Sequence, residues 1–137
     1  MLCLYAGKEL PKRKIAKLLG VSPTSVALAI KKFKRYGIVK ERKINKNLSF
    51  VELNRSMDLA TDFKRTENLK MIYESELKDY LSNIFPGALI ILFGSYAYGE
   101  DTVDSDIDIA IIGYKEKKID LAEFEKILKR KIRLTKS

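Results

Sequence analysis

The sequence has no histidine and no tryptophan, and it has a single cysteine, Cys3. Without histidine there can be no Ser-His-Asp or Cys-His catalytic site and no zinc site that depends on imidazole. A single cysteine excludes an internal disulfide, which is typical of proteins in a reducing cytoplasm. Acid–base chemistry in this chain must therefore depend on carboxylates, lysine or tyrosine.

Long apolar runs and a secretory leader are also missing. The run Ala88–Phe93 is far shorter than the roughly 20 residues that cross a bilayer. The first ten residues, MLCLYAGKEL, lack a basic start followed by a long apolar stretch, so they do not predict a secretory signal. With 46% hydrophobic and 33% charged residues, the 137-residue chain is expected to be a soluble cytoplasmic protein with no membrane partner.

Negative charge is scarce in the first part of the chain. Residues 1–55 contain 14 Lys and Arg against 3 Asp and Glu, a net charge of +11, whereas residues 56–137 have a net charge of −2. This asymmetry predicts a basic module that could meet a polyanion, joined to a mildly acidic module. A lysine-rich solvated surface is the alternative interpretation.

Two helices and a hairpin are predicted in the basic part. Ser22 is a good N-cap for the second helix, and Gly20 and Gly37 are good C-terminal stops. The apolar side chains expected to form the buried stripes are Ile15, Leu18 and Leu19 in the first helix and Val26, Ile30 and Phe33 in the second. A turn at Asn45–Asn47 separates the two strands that follow.

The pattern IAKLLGVSPTSV…GIVKER resembles the winged helix-turn-helix family over residues 1–54. The resemblance implies binding of double-stranded DNA, with the second helix in the major groove and the hairpin on phosphates. The DNA-facing residues that it implies are Thr24, Ser25, Lys31, Lys32, Arg42, Lys43 and Lys46. Because Ala27, Leu28 and Ala29 cannot hydrogen-bond to base edges, any DNA binding should be weakly sequence-selective. A winged-helix fold used for dimerisation or docking is the alternative.

Residues 55–67 are expected to form a helical connector to a domain at 68–137. Apolar residues recur at roughly helical spacing through this region and beyond it: Leu59, Phe63, Leu69, Ile72, Leu77 and Leu81. Pro86 and Gly87 predict a sharp end to the helical pattern.

The sequence ALIILFGS predicts a buried strand that ends in a glycine and a hydroxyl residue, Gly94 and Ser95. Such a pair between a strand and a short helix can cradle phosphate, because glycine permits close approach of an anion. In the next predicted strand, alternation places Asp106 and Asp108 on one face and isoleucines on the other. Two adjacent carboxylates are unfavourable unless a cation lies beside them, and hard divalent cations such as Mg²⁺ fit that role.

Gly94-Ser95 followed by Asp106-Ile107-Asp108 resembles the nucleotidyltransferase superfamily with its polymerase-beta-like fold, and in particular the minimal nucleotidyltransferases. The resemblance implies that Gly94 and Ser95 hold the phosphates of a nucleoside triphosphate. It implies that Asp106 and Asp108 are catalytic and bind two Mg²⁺ ions. The implied activity is transfer of AMP from ATP to a hydroxyl acceptor, for example by an antitoxin acting on a HEPN-type toxin partner.

Two positions depart from that family's pattern. Tyr98 stands where an arginine is common, and Arg133, on the predicted strand Lys131–Lys136, stands where a third carboxylate is usual. An arginine there would repel metal ions or pair with Asp106 and Asp108. The expected fold is therefore mixed α+β, a winged helix-turn-helix plus a small nucleotidyltransferase α/β sheet domain. A DNA-binding regulator with a non-catalytic second domain, or an assembly module, remains an alternative, and a homo-oligomer stays open.

Overall fold

The computed structural model describes residues 2–137, and they form two compact units. The first unit ends at Thr61 and the second runs from Asp62 to Ser137. Along the chain, the described residues form β1 (Leu10–Pro11), α1 (Lys12–Leu19), α2 (Pro23–Arg35), β2 (Val39–Asn45), β3 (Leu48–Leu53), α3 (Asp58–Glu74), α4 (Leu77–Ile84), β4 (Leu89–Phe93), α5 (Gly94–Tyr98), β5 (Ile107–Ile112), α6 (Ala122–Leu128) and β6 (Ile132–Lys136). The mixed α and β class is confirmed, whereas the winged helix-turn-helix and the domain boundaries at 54 and 67 stay predictions.

The first unit combines two helices with an antiparallel sheet in the order β1-β3-β2. The Ser22 hydroxyl caps α2 by accepting a hydrogen bond from the Ser25 N–H at 3.1 Å. Gly20 ends α1 in the left-handed conformation with a φ of 65°. The buried side chains are almost all aliphatic, and Ile15, Ile30 and Val51 are among them.

The predicted stripes of α1 and α2 are partly wrong. Ile15, Val26 and Ile30 are buried as expected, but Leu18 and Phe33 are exposed, and so is Leu19 at 52%. The buried face of α1 is completed by Ala16 instead. The helix is only eight residues long, and Ile15 and Ala16 are its buried residues.

The second unit is a three-stranded sheet in the order β4-β5-β6, with β4 antiparallel and β6 parallel to β5. The central strand buries Ile107, Ile109 and Ile111 on one face, where the helices pack. The other face carries Asp108. The alternation predicted for this strand is confirmed, as are the short helix after β4 and the strand around Arg133.

α3 begins in the first unit and continues in the second. Leu59, Phe63 and Leu69 belong to the helical spacing of apolar residues in the sequence, but each is at least 39% exposed. Within the second unit, the buried positions of α3 are Lys64, Asn68 and Ile72. The spacing of four residues is helical, as expected, but two of these buried side chains are polar.

Candidate active site

The two adjacent strand pairings bring three predicted site positions to one edge of the second sheet. The antiparallel register of β4 and β5 pairs Phe93 with Asp108, so Gly94 comes directly after Asp108's partner. The parallel register of β5 and β6 pairs Asp108 with Arg133. Positions far apart in the sequence therefore meet because the end of β4 and the starts of β5 and β6 lie at the same edge.

Gly94 is the position where the chain requires a glycine. Its φ is +74°, and a Cβ built on it would lie 2.5 Å from the Asp108 Oδ2. No side chain can occupy that space without moving the carboxylate. The Gly94 backbone and the Asp108 carboxylate are thus in close contact, and Ser95 follows as the second residue of α5.

Arg133 holds both aspartates of the predicted pair. Its Nε donates a hydrogen bond to Asp108 Oδ1 at 2.7 Å, and its Nη2 lies 3.8 Å from Asp106 Oδ2. The hydrogen bond to Asp108, reinforced by the charges of both carboxylates, raises the pKa of Arg133 above its ordinary value. Pairing of Arg133 with the two aspartates, one of the outcomes expected from the sequence, is the arrangement in the structure.

This ion cluster is accessible to solvent. The Arg133 side chain is 65% exposed, whereas Asp108 is 14% and Asp106 39% exposed. Exposed ion pairs contribute little to stability and exchange partners readily. The guanidinium is therefore accessible to a competing anion such as phosphate, and the carboxylates are accessible to a competing cation.

The carboxylate pair supplies part of the ligand set that a divalent cation needs. Asp106 and Asp108 supply hard oxygen ligands of the kind Mg²⁺ prefers. Across residues 2–137, however, no three His, Cys, Asp or Glu side chains lie close enough together to form a metal-binding group. The pair can therefore hold Mg²⁺ only with further ligands from a phosphate or water.

A second carboxylate cluster, buried and missed from the sequence, supports the loop between Gly94 and Asp106. Asp101 is fully buried and accepts hydrogen bonds from Lys64 Nζ, from Asn68 Nδ2 at 2.8 Å and from Arg130 Nη2 at 3.3 Å. Asn68 Nδ2 also donates to the carbonyl oxygen of Tyr96 in α5 at 2.9 Å. The cluster thereby ties α3 to α5 and to the segment that leads into β5. The one sequence signal for this cluster was the spacing of four residues between Lys64 and Asn68, which places both side chains on the same face of a helix.

A solvent-open cavity of about 500 Å³ borders Asp106 on the β6 side. It is lined by Val103, Asp104, Ser105, Asp106, Glu125, Lys126, Lys129, Arg130 and Lys131. Lys129 has a φ of 53°, a left-handed conformation that ordinarily favours glycine. Glu125 is engaged through its Oε1, which accepts the Ile132 N–H at 3.0 Å, so the exposed charges of the lining are mainly basic.

The predicted DNA-facing residues lie on the surface of the first unit. Thr24, Ser25, Lys31 and Lys32 are exposed on α2, and Lys43 and Lys46 are exposed on the hairpin. Arg42 is different, because its Nη2 and Nε donate to the two Glu9 carboxylate oxygens at 2.8 and 3.1 Å. The Arg42 guanidinium also lies 5.1 Å from the Phe50 ring centroid. A phosphate would have to compete with Glu9 for this arginine.

The second unit therefore brings together a glycine turn that contacts Asp108, a second carboxylate at Asp106 and one edge of a small α/β sheet, an arrangement that suits nucleotidyl transfer. Consistent with this arrangement, residues 74–136 match a family model described as a nucleotidyltransferase domain. The match includes Gly94, Ser95, Asp106, Asp108 and Arg133, and supports the nucleotidyltransferase superfamily for this part of the chain. No curated protein and no solved structure matched the chain in the corresponding searches.

In residues 2–137, none of the helices has the length and apolar character that a membrane crossing requires.

Proposed function

We propose that the second unit transfers a nucleotidyl group, AMP from ATP, to a hydroxyl acceptor, with Mg²⁺ as cofactor. The nucleotidyltransferase match supports nucleotidyl transfer as the general function. The observation that carries the proposal is the contact between the Gly94 backbone and the Asp108 carboxylate, because it supports a site in which a phosphate at the glycine turn would lie beside a carboxylate able to bind a metal ion.

Each residue of the site has a part in this proposal. Gly94 and Ser95 hold the β- and γ-phosphates, and Asp106 and Asp108 hold the divalent cation. When bound, the cation supplies positive charge to the phosphate oxygens and lowers the energy of the transition state. The chain's contribution is chiefly positioning, because transfer reactions of this kind depend on alignment and charge neutralisation.

The acceptor hydroxyl approaches from the cavity on the β6 side. In-line displacement places the attacking and leaving oxygens on opposite sides of the phosphorus atom. If the leaving pyrophosphate lies at Gly94 and Ser95, the attacking side faces Asp106 and the cavity. A HEPN-type toxin is the acceptor suggested by the resemblance, and the protein would then be an antitoxin that modifies its partner.

The experiment compares ATP labelled at the α-phosphate with ATP labelled at the γ-phosphate. The protein is incubated with Mg²⁺ and either a purified HEPN-type toxin or a short RNA with a free 3′-hydroxyl. Transfer of the α label alone, lost in Asp106→Ala and retained in the exposed control Asp79→Asn, supports the proposal. Transfer of the γ label, or no transfer to either acceptor, contradicts it.

A DNA-binding regulator is a second candidate, favoured by the net charge of +11 on residues 1–55. Exposed Lys31, Lys32 and Lys43 are positioned to neutralise phosphates, so duplex affinity should fall steeply with salt. Lys43→Gln should weaken binding more than Arg42→Gln does, because Glu9 already holds Arg42. Fluorescence anisotropy across a salt series measures both effects, and an affinity that does not depend on salt contradicts this candidate.

A further inference from the structure

We infer that Arg133 takes the place of a second divalent cation, so that the site works with one metal ion and one guanidinium. This inference rests on the proposed nucleotidyl transfer. It assigns Arg133 a direct contact with the substrate's phosphate, whereas the sequence pattern suggested only that an arginine would repel metal ions or pair with the two aspartates.

The position of Arg133 is fixed by the sheet. Its Cα pairs with that of Asp108 in the parallel register of β5 and β6. From this position its guanidinium reaches both carboxylates, at 2.7 Å from Asp108 and 3.8 Å from Asp106. A cation that contacts both carboxylates from the neighbouring strand supplies positive charge that a second metal ion would otherwise supply.

The charge of the protein's own groups favours one ion. Two carboxylates and one guanidinium carry a net charge of −1, which one divalent cation turns into +1. A second divalent cation would raise the charge of these groups to +3, with no third carboxylate grouped with the pair in the described residues, and only the triphosphate would offset it. With an aspartate at position 133, three carboxylates and two divalent ions would also carry a net charge of +1. The arginine and the second ion are therefore two ways to reach the same net charge.

The chemistry of the guanidinium suits the role. Arginine presents a planar fork of donors that binds carboxylate and phosphate in the same geometry. Because the Arg133 side chain is 65% exposed, it can turn from the carboxylates toward a bound triphosphate while one ion takes its place. Arg133 would then stabilise the charge that develops on the transferred phosphate.

The experiment measures Mn²⁺ by electron paramagnetic resonance in the complex with α,β-methylene ATP, which cannot undergo transfer at the α-phosphate. Two Mn²⁺ ions about 3.5–4 Å apart, the spacing in two-metal sites, give a spin-coupled spectrum, whereas one ion gives an uncoupled six-line spectrum. The full-length chain should show one uncoupled ion. Arg133→Asp should bind two coupled ions, and the control Lys118→Asp, at an exposed position, should behave like the original chain.

Nucleotide affinity supplies a second readout. Arg133→Gln should keep one uncoupled Mn²⁺ ion and bind α,β-methylene ATP about tenfold more weakly, or about 1.4 kcal/mol, because a phosphate contact is lost. Unchanged affinity in Arg133→Gln overturns the inference, and so does a coupled Mn²⁺ pair in the original chain. Binding of Mn²⁺ that begins only when Arg133 is removed also overturns it, because Arg133 would then block the site.

The two proposals fail differently. A coupled Mn²⁺ pair together with transfer of the α label leaves nucleotidyl transfer standing and removes only the role of Arg133. Absence of nucleotide binding and of label transfer in the original chain removes both.

Discussion

Two aspartates seven positions apart, Asp101 and Asp108, are both paired with arginine, and their surroundings differ. Asp101 is fully buried with Lys64 and Arg130, whose side chains are each 1% exposed. Asp108 is paired with an arginine that is 65% exposed. If Lys64 or Arg130 left the buried cluster, a buried charge would remain without compensation. Arg133, the partner of Asp108, can instead exchange with ions from solvent. The first cluster maintains the fold, and the second is suited to binding.

The largest effect is expected from breaking the buried cluster. Asp101→Asn leaves Lys64 and Arg130 buried with no carboxylate, so the free energy of unfolding should fall by about 3–5 kcal/mol. Urea unfolding of the full chain, followed by circular dichroism, measures the change. The exposed control Asp79→Asn should stay within about 0.5 kcal/mol. A similarly small change in Asp101→Asn would mean that the buried cluster does not hold the fold.

The next effect concerns function at the exposed cluster. Gly94→Ala places a methyl group against the Asp108 carboxylate, so transfer of the α label should fall about 100-fold. Gly87→Ala is the matched control, because its φ of +81° is equally unfavourable for alanine and no heavy atom lies within 4 Å of the added Cβ. Both variants should lose about 1 kcal/mol of stability. Equal activity in the two variants would show that the contact with Asp108 is unimportant.

Glu41 in the first unit is a third paired carboxylate, and its surroundings are intermediate between those of Asp101 and Asp108. Its side chain is 5% exposed and lies 2.9 Å from Lys12 and 3.6 Å from the more exposed Lys34. The Lys12 hydrogen bond, with the charges of both lysines, holds the pKa of Glu41 below its ordinary value of about 4.5. The stabilisation is therefore present above that value and is lost as the pH falls through the lower folded-state pKa.

Glu41→Gln should consequently lower the melting temperature at pH 7, by an amount corresponding to about 1 kcal/mol, and should have less effect at pH 3. Thermal unfolding of the full chain at the two pH values measures the difference. The exposed control Glu116→Gln should not show it. A loss that is the same at both pH values would indicate that Glu41 acts through packing, not through its charge.

The smallest stability change is expected at Arg133. Arg133→Gln removes an exposed ion pair, so the free energy of unfolding should change by less than about 1 kcal/mol. The change should shrink further in 1 M salt, because the Debye length is then only about 3 Å. Urea unfolding at low and high salt measures it. A loss as large as that of Asp101→Asn would remove the distinction between the two clusters.

Much of the exposed cluster could be predicted from the sequence. The alternation of aspartate and isoleucine at the start of β5 specified which face carries Asp108, and the apolar run of β4 ended at the glycine that contacts Asp108. The resemblance to a family with a third carboxylate on the last strand indicated Arg133, and the parallel register of β5 and β6 pairs it with Asp108. These features are local or depend on strand register, and strand register follows from the buried face.

The buried cluster could not be predicted in the same way. The helical pattern in the sequence was based on apolar residues such as Phe63 and Leu69 and not on Lys64 and Asn68. Phe63 and Leu69 are exposed in the structure. Burying Lys64 is favourable only because Asp101, 37 positions later, provides a paired charge. Such a pairing depends on tertiary contacts that helical periodicity does not report.

The most direct test of the central claim uses the Asp108→Asn variant. Its transfer of label from α-labelled ATP is measured under conditions in which circular dichroism shows that the variant is folded. The exposed cluster is proposed as the nucleotidyl-transfer site, so the variant should keep the stability of the original chain to within about 1 kcal/mol and lose at least 100-fold in transfer. A folded Asp108→Asn that still transfers the α label at more than a tenth of the original rate would contradict the account.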